Sequence, residues 1–457
     1  MDSRVISPLF PGDHYSERMT GTAEHRGTAE HPTSAGRGVI AWSLWDGGSA
    51  AFNAVVTTFV FTVYLTGSSF GDKDVISAQL GWALAIAGLL VALLAPITGQ
   101  RSDASGRRKL WLGVNTFVVV GLTAAMFFVQ ASPDFLLLGL ILLAAGTVFY
   151  EFATVNYNAM LGQVSTPKTI GRVSGFGWSM GYFGGIVLLL ILYFGFIHPD
   201  VGLFGVTDAN GLSVRVSMLI AAAWFGLFAL PLLFRVPEFA APAAAQRERV
   251  GFFRSYVLLG RDVAALWRGD RQMALFLIAS AVFRDGLTGV FQFGGILAAG
   301  TFGFSSGDVI IFAIVANIIA GISTVLVGRL DDRLGAKNVM VVALSGTIVA
   351  GLAVFFFATG GATMFWIFGL LMCVFVGPAQ SASRSFLARS IPAGREGEIF
   401  GLYATTGKAA TFLAPTLFAL FVTVSGSQVW GILGIALVLL VGLLLLIPVK
   451  SEQRPLA

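Results

Sequence analysis

Long apolar runs separated by short polar stretches dominate this chain. Twelve of them reach the roughly 20 residues that a helix needs to cross the hydrocarbon core of a bilayer. They lie near 39–66, 77–98, 110–130, 134–162, 171–197, 212–234, 272–299, 306–328, 338–358, 363–388, 397–424 and 427–449. Inside lipid no water is available to bond the backbone, so each run must close its own N–H and C=O groups as a helix. The pattern predicts an all-α integral membrane protein of twelve transmembrane helices.

Composition supports the same solvent. Of 457 residues, 56% are hydrophobic and 12% charged, against about 25% charged in soluble domains. Cytoplasmic loops retain Lys and Arg, which orients the chain. With the N-terminus inside, the inner loops hold Arg101, Arg107, Arg108, Lys109, Lys168, Arg172, the cluster from Arg235 to Arg271, then Arg329, Arg333, Lys337, Arg389 and Arg395. The outer loops hold Lys73, between Asp72 and Asp74, and Arg215 at a helix edge. Both termini are expected in the cytoplasm. The net charge of +5 is thereby membrane topology and no nucleic-acid footprint. Cys373 stands alone in an apolar run, which leaves no disulfide framework and no Cys-based metal site. His14, His25, His31 and His198 all fall outside the runs, so proton chemistry within the membrane rests on carboxylates.

Residues 1–36 are polar and repeat Gly-Thr-Ala-Glu-His at 21–25 and 27–31; they read as a disordered cytoplasmic tail. Residues 37–234 form a first six-helix bundle, 272–450 a second, and 451–457 a short cytoplasmic tail. The connection 235–271 puts Phe252, Tyr256, Val263 and Trp267 on one helical face. It reads as an interfacial amphipathic helix, with an exposed linker helix as the alternative.

The two bundles repeat one another. Gly99, Asp103, Gly106 and Arg108 after the second run are answered by Gly328, Asp332, Gly335 and Lys337 after the eighth. Asp46-Gly47-x-Ser49-x-x-Phe52-Asn53 is answered by Asp285-Gly286-x-Thr288-x-x-Phe291-Gln292. Gly171, Gly175 and Gly181 are answered by Gly397, Gly401 and Gly407. Three matches in the same order make the chain a 6+6 duplication. Parallel six-helix halves related by an axis along the membrane normal are the arrangement of major facilitator transporters.

The loop pattern Gly-x-x-x-Asp-x-x-Gly-Arg-Arg at 99–108 resembles that superfamily's signature, and its second copy lies in the corresponding place. Within the superfamily, several stretches resemble the vacuole-effluxer (autophagy-related) family. They are Ala41-Trp-Ser-Leu-Trp-Asp46, Tyr157-Asn158-Ala159-Met-Leu161, Gly171 through Trp178 to Tyr182, Gln380 through Arg384 to Ser385, and Gly401-Leu-Tyr403 with Gly407-Lys408. The likeness departs at Gly47-Gly48, where the family more often has Trp-Ala. It implies the major facilitator fold and transport, and its eukaryotic members are associated with amino-acid efflux from the vacuole. It also implies that helices 1, 4, 7 and 11 line the cavity and that the repeated loops hold the inner side shut. The gate residues are then Gly99, Asp103, Gly106, Arg107, Arg108, Gly328, Asp332, Arg333 and Gly335, with Arg384 beside Asp332.

An ionisable side chain at mid-bilayer costs on the order of 3 kcal/mol, so each one needs a partner or a watery cavity. Lys408 has Tyr182 at its repeat position, which confines the charge to one half. It meets a substrate's anionic group, or pairs with Glu151 or Asp46. Glu151 lies near the midplane and is either a proton carrier or a fixed partner of Lys408 or Arg284. Arg284 and Asp285 are adjacent and cannot face each other on a helix. Asp46 and Asp285 repeat one another and are expected to accept hydrogen bonds near the ends of neighbouring helices, latching the halves; cargo contact is the other reading. Arg284 replaces Trp45 of the first half and offers a guanidinium fork for a carboxylate or phosphate. Asn53, Gln292 and Tyr182 complete the candidate site.

The expected function is alternating-access secondary transport of a small polar solute, an amino acid or related zwitterion or anion, with H+ as the coupling partner. A sugar–cation symporter is the alternative, and a non-transporting membrane sensor a third reading. No nucleotide-binding loop, metal-ligand cluster or catalytic constellation stands in the sequence, so no cofactor, no metal and no enzymatic activity are expected. Partners are the solute and the lipid bilayer, with the chain acting as a monomer. Arg-over-Lys usage and abundant Ala and Gly point to a bacterial cell membrane.

Overall fold

The computed structural model describes residues 32–105, 107–165, 170–236, 260–261, 264, 266–390 and 396–450. Within those segments the side chains of 32–35, 96–105, 162, 170–172, 174–175, 328–333, 388, 396–398 and 400 lie outside the description. The N-terminal tail, most of the amphipathic linker, and the side chains of Asp103, Asp332 and Arg333 are therefore not described.

Among the described residues, twelve helices are long and apolar enough to cross a membrane. Spans 1–6 are Gly36–Leu65, Lys73–Ala95, Arg108–Phe128, Pro133–Ala159, Phe176–Ile197 and Ala209–Arg235. Spans 7–12 are Arg271–Gly300, Ser306–Val327, Ala336–Phe356, Ala358–Leu387, Gly401–Ser425 and Gln428–Leu446. All regular structure among the described residues is helical.

The halves pack alike. Span 1 lies against spans 5 and 6, as span 7 lies against 11 and 12; span 4 contacts 2 and 3, as span 10 contacts 8 and 9; span 3 meets 6 as span 9 meets 12. Small residues set the closest approaches, since lipid supplies no hydrophobic drive and tight packing must substitute. A Cβ on Gly184 would strike the Gly47 carbonyl, and one on Gly177 the Trp42 ring, so the glycine ladder of span 5 faces span 1. Between the halves, span 2 crosses span 11 at Gly81 against Ala419 and at Gly88 against the Thr411–Phe412 backbone.

Basic residues pin the span ends. Arg108 Nη1 donates to Ala159 O at 3.2 Å, Lys109 Nζ to Val236 O at 3.2 Å, and Lys337 Nζ to Ile447 O at 2.8 Å. Lys109 and Lys337 each reach the last carbonyls of the sixth helix in their own half, where the helix dipole favours a cation.

Two spans are irregular. Span 1 passes from α-helix Pro32–Ala50 into π-helix Ala51–Phe59, where Asn53 O accepts from Thr57 Oγ1 (2.7 Å) and Thr58 Oγ1 (2.8 Å). Span 11 is broken: helix Glu396–Ala409 stops, and helix Leu413–Ser425 starts afresh.

One end of the interface between halves is sealed. Lys73 Nζ bonds Gly300 O, Gln428 N donates to Asp74 Oδ1 at 2.6 Å, Gln428 Nε2 to Ser77 Oγ at 2.8 Å, and Trp82 Nε1 to Thr423 Oγ1 at 3.1 Å. These contacts join the ends of spans 2, 7, 11 and 12 that carry the connections after spans 1, 7 and 11.

Candidate functional site

Midway along the interface, the Lys408 ammonium and the Glu151 carboxylate form an ion pair between span 11 and span 4. Lys408 occupies the last turn of the first span 11 helix, where the free carbonyls of the helix end favour a cation. Both side chains keep 20% of their surface exposed, so the pair borders open space. Of the partners considered for Lys408, the structure selects Glu151; Glu151 meets Lys408 and not Arg284.

A second cluster lies beside this pair and combines four spans. The Arg284 guanidinium stacks on the Tyr403 ring, 4.1 Å from its centroid, and its Nη1 donates to Tyr403 O at 3.2 Å. Gly407 makes room for it: a Cβ there would lie 3.0 Å from Arg284 Nη1. The Tyr403 hydroxyl in turn shares a 2.8 Å hydrogen bond with Ser383 Oγ on span 10. The next residue, Arg384, crosses to the other half and stacks on Trp178 of span 5 at 4.2 Å. Asp46, Tyr182, Tyr403 and Arg284 all lie within electrostatic reach of that guanidinium. Trp178 is 43% and Tyr182 39% exposed.

Asp46 faces span 5, where a Cβ on Gly181 would stand 3.4 Å from its Oδ2. Ser49 Oγ donates to Asp46 O at 2.9 Å and approaches Oδ1 at 3.4 Å. Asn53 is exposed and Gln292 half-buried, further along the spans that carry Asp46 and Arg284.

The expectation for the two aspartates holds in part: Asp285 accepts a hydrogen bond at the end of a neighbouring helix, as expected, but within its own half. Asp285 is buried, and its Oδ2 accepts from Ala414 N at 2.6 Å, at the start of the second span 11 helix. It thus serves as the missing N-terminal cap of a helix whose own entry residue, Phe412, has no side-chain acceptor. Spans 7 and 11 belong to the same half, so this contact does not latch the halves. Asp46 bonds no neighbouring helix end. Its repeat partner is committed to a break that the first half lacks, since the span 5 helix runs unbroken over Ile170–Leu192.

The expected gate is described in part. Gly99, Asp103, Gly328, Asp332 and Arg333 fall in helices without described side chains, and Gly106 lies outside the described residues. Gly335 precedes helix Ala336–Phe356 with φ +83°, a conformation that favours glycine. Arg107 is exposed, and Arg108 ties span 3 to the end of span 4. Arg384 has its guanidinium on Trp178; the side chain of Asp332, beside which it was expected, lies outside the description. Nothing in the sequence marks Trp178, Tyr403 and Ser383 as site residues, because an aromatic or a serine in an apolar run has the pattern of ordinary packing. The one exception is Tyr403, which lies one helical turn before Gly407, facing the same way.

The family model described as "Vacuole effluxer Atg22 like" matches residues 62–454. An uncharacterized MFS-type transporter of Bacillus subtilis, YxiO, is 27% identical over 426 residues, which cover 90% of this chain and 94% of that one. Autophagy-related protein 22 of Cryptococcus neoformans is 25% identical over 300 residues, covering 62% of this chain and 51% of the fungal protein. Among solved structures, a D-xylose-proton symporter superposes with a TM-score of 0.62 at 16% identity, covering 93% and 99% of the two chains. At that identity the likeness speaks for the fold.

Proposed function

The chain belongs to the vacuole effluxer Atg22-like family and is a membrane transporter of the MFS type, and from that premise we propose that it carries an amino acid or related zwitterion by alternating access, coupled to protons. One observation carries the choice of cargo. Gly181 and Gly407 are equivalent in the two halves, and the space each leaves is taken by an opposite charge: Asp46 in the first half, Arg284 in the second. Sites of opposite sign, one in each half, suit a molecule with an ammonium at one end and a carboxylate at the other. A sugar needs no such arrangement, and a cavity with two guanidiniums does not favour one.

Proton coupling rests on the Lys408–Glu151 pair. A carboxylate that keeps its cation in one state and loses it when the halves rock apart alternates between environments of different proton affinity. The basic loops favour cytoplasmic termini; with that orientation, the end closed by Lys73, Asp74 and Gln428 faces outside. The Bacillus relative supports a bacterial cell membrane.

The test is uptake by the full chain in proteoliposomes, with labelled amino acids and D-xylose, with and without an imposed pH gradient. Amino-acid uptake that quickens with the gradient is expected. Xylose uptake without amino-acid uptake would refute the cargo; gradient-independent amino-acid uptake would refute the coupling.

A further inference from the structure

Two guanidiniums, not one, lie where the halves meet, beside a carboxylate, Asp46, that forms no ion pair among the described residues. Arg284 is held by Tyr403, and Tyr403 is held by Ser383, the residue before Arg384. Arg384 then projects across the interface onto Trp178. Stacking on an aromatic face positions a guanidinium while leaving its in-plane N–H donors available. Arg284 spends one donor on a backbone carbonyl, and no described carboxylate forms an ion pair with either arginine. The nearby charges are otherwise accounted for. Lys408 and Glu151 neutralise each other, and Asp285 is turned into span 11 as a helix cap. Only Asp46 remains on the acidic side.

We propose that Arg284 and Arg384 together form a two-point anion pole, with Asp46 as the ammonium pole, so that the preferred cargo is an amino acid bearing a second carboxylate. This rests on the amino-acid reading above and deepens it. A neutral amino acid leaves one desolvated guanidinium unmatched, whereas an acidic one satisfies both forks and Asp46 together. An anion without an ammonium, such as a simple organic phosphate, brings further negative charge to Asp46 and is disfavoured by it. Arg384 thereby changes role, from a gate residue at the inner end to a selector within the cavity. Its stack on Trp178 also makes it the arginine whose position depends on both halves.

The discriminating pair is L-glutamate and L-glutamine, equal in shape and different by one charge. With the unmodified full chain in proteoliposomes, each amino acid is used to compete against labelled L-glutamate uptake. Glutamate is expected to half-inhibit at a concentration at least tenfold below glutamine, as charge-assisted hydrogen bonds are about twice as strong as neutral ones. Arg384→Gln is expected to abolish that preference, raising the glutamate value about tenfold and changing glutamine less than threefold. If this variant does not fold, glutamate-induced thermal stabilisation of the unmodified protein in detergent, compared with glutamine, gives the same decision. Equal competition by glutamine and glutamate overturns the two-point pole while leaving amino-acid transport standing. Uptake of glycerol phosphate in preference to glutamate also overturns it. Failure of every amino acid to compete or to be carried overturns the underlying cargo reading itself.

Discussion

The Lys408–Glu151 pair offers the sharpest measurement. It is the ion pair that joins the two halves at the middle of the described spans, so it stabilises the state in which it forms. A hydrogen bond between charged groups contributes about 1.5–3 kcal/mol. Each partner keeps 20% of its surface exposed, and water screens the pair accordingly, which places the coupling at the lower end, about 1.5–2 kcal/mol. With a tenfold change for every 1.4 kcal/mol, the equilibrium between the two faces shifts roughly 10- to 30-fold when the coupling is lost. Glu151→Gln and Lys408→Gln should each shift it further, because each strands one charge in a poorly solvated place. The double variant removes both charges and should shift it less than the sum of the singles. Reporter cysteines at Leu110 and Leu334, both exposed beside the end opposite the seal, allow spin labelling; buried Cys373 stays out of reach of the label. Pulsed EPR distance distributions then give the populations. Additive effects in the double variant, or single variants with unchanged distributions, would show that the pair does not set the conformational equilibrium.

Other perturbations test the remaining geometry. Gly407→Ala puts a methyl 3.0 Å from Arg284 Nη1, so the guanidinium must move by a few tenths of an ångström; uptake should show a several-fold higher KM with an unchanged melting temperature. Gly181→Ala, its repeat equivalent, makes only ordinary contact with Asp46 at 3.4 Å and should leave KM within twofold. Asp285→Ala strips the acceptor from Ala414 N and should cost about 1–2 kcal/mol, as loss of a helix cap does. Asp285→Asn retains an oxygen and should cost less; equal melting temperatures for Asp285→Ala and the parent protein would remove Asp285 from that role. Gly184→Ala forces the backbones of spans 1 and 5 apart at Gly47 and should destabilise by about 1–3 kcal/mol in thermal unfolding.

The fold was legible because one constraint outweighs the others. Backbone that must satisfy itself in lipid leaves long apolar runs, and runs read as 272–299 and 306–328 become Arg271–Gly300 and Ser306–Val327. The break in span 11 was not legible. Pro415 follows it, yet Pro231 and Pro378 sit inside continuous helices, so proline alone does not mark it. What permits the break is Asp285, which reaches Ala414 from another span. The same limit applies to the charges. Sequence names Glu151 and Lys408 as costly residues in need of partners, but they lie 257 positions apart and nothing local selects one for the other. Repeat symmetry misled for the same reason: Asp46 and Asp285 match in sequence, and only one faces a broken helix.

That divergence has a functional direction. Among the described cavity residues, the acids Asp46 and Glu151 belong to the first half, and the cations Arg284, Arg384 and Lys408 to the second. An ancestral duplication gives both halves the same packing, but here they present opposite charge to each other across the interface. Such halves attract one another whenever the cavity is empty, with Lys408 on Glu151 and Arg384 on Trp178 as the contacts that result. Cargo that meets Asp46, Arg284 and Arg384 competes with the Arg384–Trp178 contact, so binding it relaxes that part of the attraction in the empty state. A neutral solute of equal size has no means of doing so. On the proposed reading, charge separation between halves supplies, in one arrangement, the recognition of a charged amino acid and the reason its binding changes the balance between inward and outward states.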